Sequence, residues 1–238
     1  MNIGKKILLT ALCVVLCGSL FPLHMNADTQ FGLDFNSRYI WRGMDLNPNN
    51  KPVLQPSVTF TFGDSGFSLN FWGSVAFGNK TLHEADITLS YDFSNLKDIS
   101  LSVGFIHYGW YFSDNFKFED HTTQEIYLTL GLPKVPFTPT LSLYYDINLG
   151  DGFYAALGIS HGVKLNRNLT LDLSASLGYN GGQWIEGSGF SNLDFKASVP
   201  FKLDKTSIAP FFGVSFILLD EVNPGVDNEI FAGVSLSF

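Results

Sequence analysis

The sequence predicts an all-β chain, a transmembrane antiparallel up-and-down β-barrel of 12 strands with short periplasmic turns and longer extracellular loops. Three observations predict it. Apolar and polar residues alternate along run after run of the chain. Only 15% of the residues are charged, against about 25% in an ordinary soluble protein, while aromatics also reach 15% and 23 residues are Phe. Beyond the N-terminus no stretch stays apolar for the roughly 20 residues that a transmembrane helix needs. A chain this apolar without a helical span fits strands that keep one face in lipid.

Residues 1–27 read as a secretory signal peptide: Lys5 and Lys6, then "ILLTALCVVLCGSLF", 15 residues without charge, then "PLHMNA" and a cut after Ala27. Both cysteines, Cys13 and Cys17, sit in that apolar stretch behind Leu12 and Leu16, where a lipoprotein signal wants a small residue. The mature domain, 28–238, then has no cysteine, no disulfide and no thiolate metal site, and no cofactor is expected. Loss of Lys5 and Lys6 takes Lys+Arg from 14 to 12 against 22 acids, a net charge of −10, which argues against a nucleic-acid partner.

The first run is "FGLDFNSRYIW". Phe31, Leu33, Phe35, Tyr39 and Trp41 share one parity, and Asp34, Asn36, Arg38 and Arg42 the other; Ser37 and Ile40 break the rule. The second, "VLQPSVTFTF", sets Leu54, Val58, Phe60 and Phe62 against Gln55, Ser57, Thr59 and Thr61. "FSLNFWGSVAF", "ADITLSYDF", "ISLSVGF", "IYLTLGL", "TPTLSLYYDI", "FYAALGISHG", "LTLDLSASLGY", "SNLDFKASV" and "IAPFFGVSF" follow, and "EIFAGVSLSF" closes the chain at Phe238. A tilted strand crosses a bilayer in about 9–11 residues, which suits these runs. The joints "GDSG", "SNLKD", "PKVPF", "LNRN" and "LDKT" are short, whereas "DLNPNNK", "YFSDNFKFEDHT", "GGQWIEGSG" and "LLDEVNPGVD" alternate with them on the opposite side. A soluble sandwich or lipocalin-like barrel also alternates, but its wet face should be dense in Lys, Glu and Arg; here the polar parity is mostly Ser, Thr, Gly and Asn.

"SRYIWRGMDLNPNNKPVLQPSVTFTF" followed by "GFSLNFWGSVAF" resembles the opening hairpins of the TorF-type porin family. The likeness is specific over residues 31–78 and general beyond. It implies a channel-like barrel and little about a solute. Phe238 at the end of an alternating strand resembles the signal read by the barrel assembly machinery. The expected setting is the outer membrane of a Gram-negative envelope, with its lipid and lipopolysaccharide as surroundings.

In such a barrel the polar parity points inward. The candidate pore-lining residues are the acids Asp34, Glu84, Asp86, Asp92, Glu125, Asp146, Asp172, Asp194 and Glu229 and the bases Arg38, Arg42 and Lys196. Nine acids against three bases favour cations in a water-filled lumen; the other reading is that these charges pair across the interior, with Glu229 meeting Arg42 where the last strand closes on the first. On this parity Tyr39 and Trp41 face lipid near the outer interface. Trp72, Tyr108, Trp110, Tyr144, Tyr154 and Phe231 point inward, either as a stacking track or as packing, and the loop "YFSDNFKFEDH" is a candidate constriction.

Enzyme signatures are missing. His107 has lipid-facing parity near the outer rim but no serine beside it, His161 sits at the opposite rim, and His83 and His121 lie at loop edges. No H-E-x-x-H, G-x-S-x-G or P-loop appears, and the acids of "FEDH" and "LDEVNPGVDNE" lack EF-hand spacing. No catalytic residue and no metal ligand is expected. The reading is a porin passing small hydrophilic solutes or ions through a narrow acidic lumen. A non-conducting barrel whose loops bind a partner is the alternative, and a lipid-modifying barrel enzyme stands third.

Overall fold

The computed structural model describes residues 27–47, 51–77, 82–94, 96–110, 122–167, 169–225 and 228–238. The signal segment before Ala27 and the loop 111–121, with His121, lie outside the described residues, as do the side chains of His83 and Trp110. Twelve long strands form the wall: β1 Ala27–Asn36, β2 Val53–Phe62, β3 Phe67–Ala76, β4 Leu82–Asp92, β5 Ser100–Trp110, β6 Thr122–Gly131, β7 Thr140–Asp146, β8 Phe153–Lys164, β9 Thr170–Gly181, β10 Ser188–Ser198, β11 Thr206–Ile217 and β12 Asn228–Ser237. Each pairs antiparallel with the next in sequence. A short strand, Phe201–Leu203, folds back on the start of β11.

The ring is closed. β1 pairs with β12 from Gly32↔Ser237 to Asn36↔Gly233, and Phe31 and Phe238 exchange backbone hydrogen bonds across the seam. Closure is what lipid demands, because each backbone group left unpaired in hydrocarbon costs several kcal/mol. The 12-strand antiparallel architecture read from the alternation is therefore the architecture found.

The two faces follow parity. Phe31, Phe35, Phe105, Ile126, Leu143, Leu157, Phe195, Phe212 and Ile230 are exposed on the outer face. On the inner face the next residues along bond to each other across strands: Ser90 with Tyr127 at 2.7 Å, and Thr129 with Ser142 at 3.0 Å. Inward aromatics lie over glycines on the neighbouring strand. Tyr127 covers Gly104 and Phe231 covers Gly213, so a Cβ at either glycine would overlap the ring. At Gly104 the Leu89 carbonyl also stands 2.6 Å from the Cβ position. Gly104→Val should therefore lower the unfolding free energy by about 1–3 kcal/mol in urea titrations of the refolded barrel. Adding Tyr127→Ala should restore part of the loss; no recovery would mean that the ring is not the obstacle.

The sequence reading is corrected at its first element. β1 stops at Asn36, and residues 37–47 do not continue up the wall. Ser37 still pairs with β12, its backbone N–H donating to the Ala232 carbonyl and its Oγ accepting from the Ala232 N–H, and the chain then turns into the barrel. There it forms a two-stranded hairpin, Ile40–Trp41 with Met44–Asp45, closed by Leu46 N–H to the Tyr39 carbonyl at 2.9 Å. Arg42 and Gly43 make the two-residue turn with φ of 53° and 84°, the left-handed pair that a tight hairpin matching strand twist requires.

Candidate functional site

The inward hairpin and the buried carboxylates around it form the candidate site. Arg42 is its centre. Nη1 and Nη2 donate to Oε1 and Oε2 of Glu125 on β6 at 2.7 and 2.8 Å, and Nη1 also donates to Oε1 of Gln183, just past β9. A planar fork matched to one carboxylate is the strongest ordinary geometry for such a pair. The Arg42 Cζ stands 4.3 Å from the centres of the Trp41 and Tyr144 rings and 4.8 Å from that of Tyr154, distances at which ring faces attract a cation. Burial pulls the Arg42 pKa down, yet the bond to Glu125 and its charge outweigh this and leave it raised, so the guanidinium stays charged.

The rest of the hairpin is fixed just as specifically. Arg38 pairs with Glu229 at the seam and stands 3.7 Å from Asp45. Burial raises the Asp45 pKa, opposed by the Asn47 N–H and by Arg38. The Tyr39 hydroxyl donates to Glu84 at 2.8 Å, and its ring lies 5.6 Å from that of Trp72. Trp41 meets the inward Tyr108 edge-on at 6.1 Å. Gly43 lies against Asn192 of β10 and Val222 of the loop after β11. The expectation that Tyr39 and Trp41 face lipid is thus overturned: both point into the barrel with Arg38 and Arg42, because beyond Asn36 the chain lies inside the lumen and parity no longer separates lipid from interior. The seam pair expected between Glu229 and Arg42 is made by Arg38 instead, and Arg42 reaches across to Glu125.

The other candidate residues separate by height. Glu84, Glu125, Asp146 and Glu229, all within 2% of full burial, stand in the long-loop half with Asp86, itself 9% exposed. Asp146 accepts from Thr123 Oγ1 at 2.7 Å and from the Asn148 N–H at 2.9 Å. Asp86 accepts from the Gly109 N–H at 3.3 Å. Asp194 is half-buried between Asn192 and Ser215, both donating to it. Asp34 and Lys196 belong to a lower level, where cavities of about 250 Å³ each are lined by Ser, Thr, Gly and Ala beside them. The Lys196 Nζ lies 4.0 Å from the Phe211 ring centre. Asp92 and Asp172 are exposed near the short-turn rim, away from the acids of the hairpin level. The interior thus has a small-residue half at the short-turn end and a charged, hairpin-filled half at the other.

Sequence reasoning missed Gln183, Asn180 and Asn192. Gln183 is fully buried, bonded through Nε2 to Glu125 at 2.6 Å and held by Asn180, whose side chain accepts from its N–H at 2.8 Å. Neutral amides in "GYNGGQW" carry no charge signal to single them out. Among the described residues no group of three His, Cys, Asp or Glu is placed to hold a metal ion.

No family model matches this chain, and no curated protein does. Solved structures do. A KdgM porin aligns over 88% of this chain and 99% of its own length with a TM-score of 0.57 at 14% identity. An outer membrane channel from Pseudomonas putida F1 covers 92% of this chain and 97% of its own, with a TM-score of 0.54 at 9% identity. This chain has an outer-membrane barrel fold. LpxR from Salmonella typhimurium is also similar, covering 88% and 99% with a TM-score of 0.54 at 9% identity, so the fold is shared beyond proteins named as channels. None of these comparisons bears on the likeness to the TorF-type family, which is specific over residues 31–78 and general beyond.

Proposed function

We propose that this chain is an outer-membrane porin-like channel, not an enzyme, that passes small hydrophilic solutes or ions through a narrow acidic lumen throttled by the hairpin. The observation that carries this reading is the interior itself. Its wall carries Ser, Thr and charged residues among inward aromatics, and at the hairpin level Glu84, Asp86, Glu125, Asp146 and Glu229 face two arginines. A low-dielectric wall focuses that field and favours cations. The channel barrels of like fold support the reading. The proposal includes export by the N-terminal segment, assembly through the last strand and its Phe238, and lipid and lipopolysaccharide around the wall.

Purified protein in a planar bilayer should give small, cation-preferring unit steps. Glu84→Gln with Asp86→Asn should move the reversal potential in a salt gradient toward zero. An unchanged reversal potential would remove these two carboxylates from the ion path. The filled outer half of the lumen favours one further reading, a non-conducting barrel whose outer loops bind a partner, and repeated insertions without any unit step would select it.

A further inference from the structure

The hairpin tip and its seat are separable pieces of chemistry. The seat is built from Glu125 on β6, Tyr144 on β7, Tyr154 on β8 and Gln183 after β9, and its own bonds hold it in shape. The Tyr108 hydroxyl donates to Glu125 Oε2 at 2.9 Å, Gln183 Nε2 donates to Oε1 at 2.6 Å, and the Asn180 amide donates to the Gln183 carbonyl at 3.1 Å. The occupant comes from far away in the chain, 83 residues from Glu125 and 141 from Gln183. What the seat offers is selective: one carboxylate presenting both oxygens, an amide oxygen beside it, and two ring systems within 5 Å of the cation centre. A flat cation with donors on two nitrogens satisfies all of these at once. A compact ammonium has neither the fork nor the face.

We propose that this seat is a guanidinium-binding site of the lumen, filled by Arg42 in the resting barrel, and that it receives a small solute carrying a guanidinium group when the hairpin lifts. The exchange follows from burial. With the hairpin seated Glu125 has no exposed surface; withdrawal of Arg42 takes away its counter-ion, and a replacement cation restores the pair. Solute binding and hairpin release are then linked reciprocally. This assignment deepens the channel reading and rests on it for its transport meaning, while the binding site itself is tested without conduction.

The test uses the full chain refolded in detergent, with Arg42→Ala and with methylguanidinium chloride at millimolar concentration as the probe. Methylguanidinium should raise the thermal unfolding midpoint of this variant saturably, with half-saturation at least ~10-fold below that of methylammonium, which lacks the fork. Adding Glu125→Gln should abolish the difference. Equal responses to the two cations, or a difference that survives Glu125→Gln, would overturn the proposal. Should Arg42→Ala fail to refold alone, methylguanidinium in the refolding buffer restores it under the proposal, and no recovery overturns it. In a bilayer, Arg42→Ala should conduct several-fold more than wild type and be blocked by the same probe. A barrel silent in both forms would defeat the channel reading and leave the unfolding result to judge the site.

Discussion

Replacing Glu125 by alanine will unseat the hairpin. The Arg42 side chain is 7% exposed, and with the carboxylate gone its fork has only Gln183 left, while Tyr108 and Gln183 lose an acceptor. Breaking a buried pair by removing one partner costs about 3–5 kcal/mol, and the chain escapes part of that cost by lifting residues 37–47 into water. Two measurements follow. The urea midpoint of the refolded barrel should fall, by an amount capped by the cost of lifting. Trypsin should spare the seated hairpin in wild type, cleave after Arg38 and Arg42 in the variant, and leave the strands intact. Equal trypsin resistance in wild type and Glu125→Ala would mean that Glu125 does not hold the hairpin. Glu125→Gln should fall between them, because it keeps an acceptor oxygen and loses the charge.

The second large effect separates the two faces of the wall by a single residue. Leu143 in β7 is exposed on the outer face with Leu128 and Ala155 beside it, and Ser142 points inward to Thr129. A lysine on the lipid face near the bilayer midplane costs about 2–4 kcal/mol, and in a polar lumen far less. Leu143→Lys should cut refolding into phosphatidylcholine vesicles and lower the urea midpoint strongly. Ser142→Lys should refold close to wild type. Equal losses from both would contradict the assignment of faces on which every other inference depends.

The wall was legible because its physics is local. A strand between lipid and a polar interior must alternate, and each run carries its own record of that, so the strands could be read one at a time. The hairpin was not legible for the opposite reason. Ile40, Trp41, Met44 and Asp45 are extended, and Arg38, Tyr39, Trp41 and Arg42 keep the polar–apolar parity of the wall, so little that is local says that the chain has turned inward. One trace of the turn was present: Ser37 and Ile40, the two breaks in the first run, flank the point where β1 has ended and the hairpin begins. The partners left no trace, since Glu125 and Gln183 meet Arg42 only through the closed barrel. Charge reading found Glu125 by its parity, and it passed over Gln183 and Asn192, whose amides matter only through the geometry that buries them.

The span of these contacts in sequence fixes an order of events. Neighbouring strands form hairpins from residues close together, whereas Arg42 joins positions 83 and 141 residues away, and Arg38 joins Glu229 at a separation of 191. Contacts of this kind cannot reward the chain until the intervening segments are in place. The Arg38–Glu229 pair also straddles the seam, so it exists only once the last strand has met the first. Until the later strands arrive the aromatic hairpin therefore lacks the partners of both its arginines, and it seats fully only after the ring has shut. A partly assembled barrel is left open, and a made Arg38–Glu229 pair marks a barrel whose strands have all arrived.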